Sequence, residues 1–104
     1  MKEVILSHDS KALLYLVPEE VAEQLEDYCM DFACRWIWED PRGAALLQEI
    51  NGHPCAVYGS QDFIDYLNRW VFPERPSCLV RELDFYGYEE EFPQEYRRYP
   101  RFNF

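Results

Sequence analysis

This chain of 104 residues carries 20 acidic against 10 basic residues, a net charge of −10 at pH 7, together with three Trp, eight Tyr and seven Phe. Acidic chains with few aromatic residues are typically disordered, so this aromatic content excludes that class and predicts one packed domain over residues 1–104. The excess of negative charge repels nucleic-acid phosphate and anionic lipid, so we expect a basic protein partner, with no nucleic acid and no membrane.

The first third of the chain predicts a β-hairpin followed by a long helix. Glu3–Leu6 and Ala12–Val17 are apolar runs separated by a polar, turn-prone stretch. Pro18 suits the first helical position, because its missing N–H costs nothing there. Apolar residues then recur at steps of three and four, which predicts a helix that ends at Trp36 or Trp38.

The middle of the chain predicts a second hairpin. Asn51-Gly52 is a strong signal for a two-residue turn, because both positions tolerate a positive φ. It lies between the candidate strands Leu46–Ile50 and His53–Tyr58. A helix over Ala44–Ile50 is the competing interpretation.

The last third predicts a helix, a strand and an aromatic tail. Ser60 is a candidate cap for a helix over Gln61–Val71. Ser77–Phe85 predicts a strand with Leu79, Leu83 and Phe85 on one side. Tyr86–Phe104 contains prolines and many aromatic rings, so we expect it to lie extended against the body of the domain.

These elements predict an α+β fold with a largely antiparallel sheet, built from two hairpins and a final strand, and two helices on one face. The shared periodicity of the helices also predicts one hydrophobic cluster, containing Leu25, Phe32, Trp36, Phe63, Leu67 and Trp70.

The negative charge is concentrated in two segments. Residues 18–40 hold eight acids and only Arg35 as a base, a net −7. Within the predicted helix, four acids fall opposite the apolar stripe and are the leading candidates for partner contacts: Glu20, Glu23, Asp27 and Asp31. The second candidate segment combines three acids with two possible aromatic anchors: Tyr86, Tyr88, Glu89, Glu90 and Glu91.

The chain offers little for catalysis or metal binding. His53 and Cys55 lie two residues apart and would face the same side of a strand, but no orienting group or oxyanion site accompanies them. The cysteines lack the closely spaced ligand pairs of structural zinc sites. We therefore expect no enzymatic activity, no cofactor and no metal. The N-terminus has no signal-peptide pattern, so we expect a cytoplasmic protein with free thiols.

Three segments resemble a group of small, uncharacterised bacterial proteins: Val17–Glu23, Asp62–Trp70 and Pro100–Phe104. The resemblance covers most of the chain, implies a bacterial cytosolic protein and transfers no catalytic residue. In size, acidity and α+β pattern the chain is also similar to bacterial immunity proteins, which neutralise toxin enzymes by binding them.

The leading hypothesis is an acidic protein-binding module of the immunity or inhibitor type, whose partner is a basic protein such as a nuclease toxin. A nucleic-acid mimic that blocks a DNA-binding protein is an alternative, and it predicts acids at phosphate-like intervals rather than one contiguous patch. A third hypothesis is a small enzyme that uses Cys55 and His53, which a deep pocket containing both would favour. A fourth is a housekeeping or assembly subunit of the cytosol whose acidic surface serves only solubility.

Overall fold

The structure, a computed structural model, describes residues 1–8, 11–86 and 93–104 and confirms the predicted α+β class. Its centre is the first predicted hairpin, in which β1 (Lys2–His8) pairs antiparallel with β2 (Lys11–Val17). The register is continuous, because every residue of β1 has a partner on β2. Alternate side chains of both strands therefore point to opposite faces of the sheet.

Two further strands complete a four-stranded mixed sheet in the order β5-β2-β1-β6. Strand β5 (Cys78–Tyr86) pairs antiparallel with β2, and β6 (Arg101–Asn103) pairs parallel with β1. The backbone of the tail continues this pairing, since Ile5 N–H donates to the Pro100 carbonyl at 2.9 Å. Part of the aromatic tail is thus an edge strand, which its sequence pattern did not indicate.

The second hairpin forms where it was predicted but does not join the main sheet. After a 3₁₀ turn at Gly43–Leu46, β3 (Leu47–Ile50) and β4 (His53–Ala56) form a separate two-stranded sheet. Asn51 and Gly52 both have positive φ, 52° and 79°, as a two-residue hairpin turn requires. The expected single sheet from two hairpins is therefore wrong in this detail, because β5 and β6 occupy the edges of the central hairpin.

The first helical segment runs from Glu19 to Glu39, close to the predicted bounds. It contains three short helices and a π turn: α1 (Glu19–Glu23), α2 (Leu25–Asp31), the π turn Phe32–Trp36 and α3 (Ile37–Glu39). Gln24 leaves the helical conformation, with φ −129° and ψ 42°, and separates α1 from α2. Pro18 precedes the first helical residue, and its carbonyl accepts the N–H groups of Val21 and Ala22.

The second helical segment consists of α4 (Ser60–Tyr66) and a π turn at Leu67–Val71. The predicted Ser60 cap is wrong. The capping contact is made instead by the Asp62 carboxylate, which accepts the Gly59 N–H at 2.8 Å. The Ser60 hydroxyl lies in the core, 3.1 Å from the Tyr15 hydroxyl, because the buried phenol needs a hydrogen-bond partner.

Both faces of the central sheet are covered. The helices pack on one face, where the core contains side chains of β1 and β2 and of both helical segments: Val4, Leu6, Tyr15, Val17, Leu25, Phe32, Phe63 and Leu67. On the other face, Tyr96 and Tyr99 of the tail pack against Ile5, Leu14 and Leu83. Both helical segments therefore contribute to one core on one face of the sheet, as predicted.

The prediction that Trp70 belongs to this core is wrong. Its side chain is 43% exposed, and Arg42 stacks on its ring with 4.2 Å between the guanidinium carbon and the ring centroid. Trp70 lies in the π turn of the second helical segment, and a π turn takes in one more residue than an α turn. The extra residue rotates Trp70 away from the apolar stripe on which the prediction was based.

The leucines of β5 also differ from the expected pattern. Leu79 is 49% exposed, whereas Leu83 is buried in the cluster that contacts the tail. The pairing of β5 with β2 shifts register twice, so extra residues on β5 interrupt the alternation of its side chains. The predicted placement of these leucines and Phe85 on one side assumed a regular strand, and the side chain of Phe85 lies outside the described residues.

Candidate protein-binding surface

The four acids predicted from the first helix all lie on its solvent side. Glu20, Glu23, Asp27 and Asp31 are exposed, whereas Leu25, Cys29 and Phe32 of the same segment are buried. The helical periodicity therefore separates the acids from the core as expected. What distinguishes these acids from one another is the set of basic side chains brought near them by the fold.

Glu20 is held in an ion pair that joins the helix to a distant turn. Its two carboxylate oxygens accept hydrogen bonds from the Arg75 guanidinium, one of them at 2.9 Å. Arg75 also stacks on the Phe72 ring, which in turn contacts Tyr28 of α2. The bidentate hydrogen bonds from Arg75 lower the pKa of Glu20 from 4.5 to about 2.

Removing Arg75 should raise the pKa of Glu20. In Arg75→Ala we expect this pKa to rise from about 2 towards 4.5, because the largest cause of its depression is lost. Since the pKa is lowered in the folded state, this pair stabilises the fold above pH 4.5, and that contribution disappears as pH falls towards 2. A carbon-13 NMR titration of the glutamate carboxylates measures the shift.

The control for this titration is Arg69→Ala, which removes another exposed arginine from the same region. Glu20 should keep its depressed pKa in that variant. A Glu20 pKa that stays near 2 in Arg75→Ala would show that the ion pair is not its cause.

Asp31 is also compensated by a nearby basic side chain. The Arg35 guanidinium lies 3.4 Å from the Asp31 carboxylate and 3.7 Å from that of Glu39. These three side chains are exposed, so the pairing itself contributes little stability. It nevertheless places one positive charge between two negative ones, which reduces the attraction that Asp31 offers to a partner.

Glu23, Glu26 and Asp27 are the uncompensated part of the acidic surface. All three are exposed, and none forms an ion pair with a side chain in the described ranges 1–8, 11–86 and 93–104. Glu26 was not among the predicted contacts, although it neighbours Asp27 in sequence and precedes Met30 by one helical turn. The first helical segment therefore presents three free carboxylates to solvent, one at the end of α1 and two in α2.

A shallow cleft of about 270 Å³ lies beyond Asp31, at the C-terminal end of the helical segment. It is lined by Asp31, Arg35, Trp36, Glu39, Asp40 and Pro41. Its acids are already paired, since Asp40 accepts two hydrogen bonds from the Arg42 side chain at 2.9 and 2.8 Å. These bonds lower the pKa of Asp40 to about 2. The cleft is thus close to charge-balanced and offers a cation little net attraction.

The second predicted contact segment is mostly beyond the described structure. Tyr86 ends β5. Its side chain, together with Tyr88, Glu89, Glu90 and Glu91, lies outside the described residues.

His53 and Cys55 do not form the hydrogen bond that a nucleophile and its base require. His53 is exposed at the start of β4, and the Cys55 thiol donates to the backbone carbonyl of His53 at 3.8 Å. Activation of the thiol requires the imidazole nitrogen within hydrogen-bond reach instead.

The four cysteines are free thiols with different exposure. Cys34 and Cys78 are exposed, Cys55 is half-buried, and Cys29 is completely buried. Burial raises the pKa of the Cys29 thiol. Among the described residues, no group of three or more His, Cys, Asp and Glu side chains could hold a metal ion.

Thiol labelling should follow this exposure. For protein prepared under reducing conditions, we expect iodoacetamide to alkylate Cys34 and Cys78 first and Cys29 last, because the buried thiol is inaccessible and little ionised. Native mass spectrometry should show neither a bound zinc ion nor the hydrogen loss of a disulfide. A stoichiometric zinc mass, or Cys29 labelled as fast as Cys34, would contradict this expectation.

Within the described residues, none of the helices combines the length and apolar character required to cross a bilayer. Comparison with protein-family models, curated proteins and solved structures finds no match to this chain.

Proposed function

We propose that this protein binds a basic protein partner through the exposed acidic side of its first helical segment. The observation that carries the proposal is that Glu23, Glu26 and Asp27 are exposed and have no ion-pair partner among the residues that the structure describes. Uncompensated like charges close together in the chain repel one another, so this arrangement costs stability when no partner is present. A basic partner offsets that cost and is attracted to the surface before contact.

The proposed partner class is a basic enzyme such as a nuclease, which the protein inhibits in the manner of an immunity protein. An active site that binds phosphate is cationic, so an acidic helix can cover it. All three free carboxylates lie within residues 23–27, at the end of α1 and the start of α2. This short stretch favours direct docking over mimicry of an extended nucleic-acid backbone.

The proposed setting is a reducing compartment, the cytoplasm of a bacterium. All four cysteines are free thiols, which suits such a compartment. The resemblance of three segments to small bacterial proteins supports the same setting.

Affinity capture from native lysate tests the proposal with three baits. The first is the unmodified protein, and the second carries Glu23→Lys, Glu26→Lys and Asp27→Lys. The third is a matched control with the same change of charge at exposed acids elsewhere, Glu3→Lys, Glu49→Lys and Glu95→Lys.

We expect a basic protein that the unmodified and control baits retain at low salt and the helix variant does not. Adding the unmodified protein should then inhibit the captured protein in a DNA- or RNA-cleavage assay. Equal capture by the helix variant and the control would exclude the acidic helix as the binding surface. Specific capture without inhibition of cleavage would keep the binding surface and exclude a nuclease partner.

A further inference from the structure

An exposed apolar row lies beside the acidic residues on the same helical segment. Met30 and Trp38 are 45% and 46% exposed, and Cys34 between them is also exposed. Contiguous exposed apolar side chains bordered by polar residues are typical of binding surfaces. We call Met30, Cys34 and Trp38 the apolar row.

The ion pairs of Arg35 indicate that residues four apart align along this part of the helical segment. Arg35 reaches both Asp31 and Glu39, four residues before and after it. The π turn at Phe32–Trp36 takes in one more residue than an α turn, so a step of four residues runs nearly parallel to the helix axis here. Each member of the apolar row precedes one of these charged residues by one position and therefore lies in the neighbouring row.

Trp38 can make an apolar contact without losing a hydrogen bond to water. Its indole N–H donates to the Ala33 carbonyl at 3.2 Å, so the only polar atom of the side chain is already hydrogen-bonded within the protein. The hydrogen bond also orients the ring on the helix surface. A partner can cover the ring without leaving an unsatisfied donor and without the cost of ordering a mobile side chain.

Trp70, the other strongly exposed tryptophan, differs because Arg42 already stacks on its ring. Trp38 instead follows Met30 along the row that begins beside Glu26 and Asp27, which lie four and three residues before Met30.

We propose that the apolar row is the centre of the binding surface and that it packs against a basic amphipathic helix of the partner. The row spans about 12 Å along the helix and forms a ridge that fits the groove between side chains of a second helix. Glu23, Glu26 and Asp27 then face lysines or arginines at the edge of that helix. This inference rests on the proposed function for the basic character of the partner.

The carboxylates and the apolar row should affect different steps of binding. Carboxylates at the edge attract the partner and raise the association rate, while burial of Trp38 and Met30 slows dissociation. Loss of the apolar row should therefore change the lifetime of the complex, and loss of the carboxylates should change its rate of formation.

Synthetic peptides of about 18 residues test the inference, since shorter helices are marginal in water. One probe has leucines on one face and lysines on the other. A control probe keeps every lysine and replaces each leucine with serine. Binding is measured by fluorescence anisotropy of a dye on the peptide, with nitrogen-15 chemical-shift mapping on the unmodified protein.

The variant of the row is Trp38→Ala with Met30→Ser, and the matched control is Trp70→Ala. We expect the row variant to bind the leucine–lysine peptide at least about tenfold more weakly, chiefly by faster dissociation, and Trp70→Ala to bind within about twofold of the unmodified protein. The serine–lysine peptide should bind the row variant and the unmodified protein equally. Chemical-shift changes should centre on residues 30–38.

Unchanged affinity of the row variant for the leucine–lysine peptide would overturn the inference, as would shift changes confined to other surfaces. The variant Glu23→Lys, Glu26→Lys and Asp27→Lys separates this failure from failure of the proposed function. If that variant binds both peptides more weakly while the row variant is unaffected, the result supports recognition by the acidic residues and contradicts packing against the apolar row. If only the row variant binds more weakly, the result supports packing against the apolar row and contradicts recognition by charge.

Discussion

Phe32→Ala is expected to destabilise the fold by about 3–5 kcal/mol, because it removes a buried ring and leaves a cavity. Phe32 is completely buried at the centre of an aromatic cluster. Its ring centroid lies between 5.1 and 6.5 Å from those of Trp36, Tyr58, Phe63, Tyr66 and Phe104. The lost contacts therefore involve both helical segments and the tail.

Urea denaturation followed by tryptophan fluorescence and far-ultraviolet circular dichroism measures this change. Stabilities of small domains are about 5–15 kcal/mol, so Phe32→Ala could leave little folded protein. Phe32→Leu is the companion variant that keeps most of the volume and should cost less. Trp70→Ala, at an exposed ring, is the surface control. A loss below about 1 kcal/mol in Phe32→Ala would contradict the position of this ring at the centre of the core.

Reversal of three charges, Glu23→Lys, Glu26→Lys and Asp27→Lys, is expected to slow association with the basic partner by about tenfold or more at low salt. The three carboxylates are exposed and lack a basic neighbour among the described residues. They consequently attract the partner at long range. Asp31 is a weaker choice for reversal than the sequence suggested, because Arg35 lies beside it.

Stopped-flow or surface-binding kinetics over a range of salt concentrations measure this effect. The association rate of the unmodified protein should fall steeply with salt, since exposed charges are screened within about 8 Å at physiological ionic strength. The rate for the helix variant should depend little on salt. The control variant Glu3→Lys, Glu49→Lys and Glu95→Lys has the same net charge as the helix variant. It should retain most of the electrostatic attraction that raises the association rate. Equal association rates for the two variants would mean that net charge alone matters.

The thermal stability of the helix variant should remain close to that of the unmodified protein. Its three positions face solvent, and the buried side of the segment, including Leu25 and Cys29, is unchanged. Substitutions at such surface positions usually change stability by no more than about 0.5 kcal/mol. Any large change in binding is then an effect on the surface rather than on the fold.

The elements that could be predicted are those whose signals are local. Alternating and helical periodicities predicted the first hairpin and both helical segments, and Asn51-Gly52 predicted the second turn. The same periodicity placed Glu23 and Asp27 on the solvent side of the helix. In each case the information lies within a few residues, because one helical turn or one strand pair sets the pattern.

The errors involve residues whose environment depends on distant parts of the chain or on irregular geometry. Trp70 fits the apolar stripe of an ideal helix, but a π turn rotates it to the surface. Ser60 is an acceptable cap, but the buried Tyr15 hydroxyl, 45 residues away, binds its side chain. Leu79 fits a regular strand, but the shifts in register along β5 leave it exposed.

By itself, then, the sequence determined the α+β class, the helical and hairpin segments and the acidic character of one helix side, because periodicity and charge are local properties. Only the tertiary structure decided which acids remain uncompensated. Glu20 is paired because the fold brings Arg75 to it across 55 residues, whereas Glu23, Glu26 and Asp27 receive no such neighbour among the described residues. The tertiary structure also decided that the tail supplies an edge strand. The edge of β1 that faces away from β2 has backbone N–H and C=O groups that require partners, and the second hairpin does not provide them.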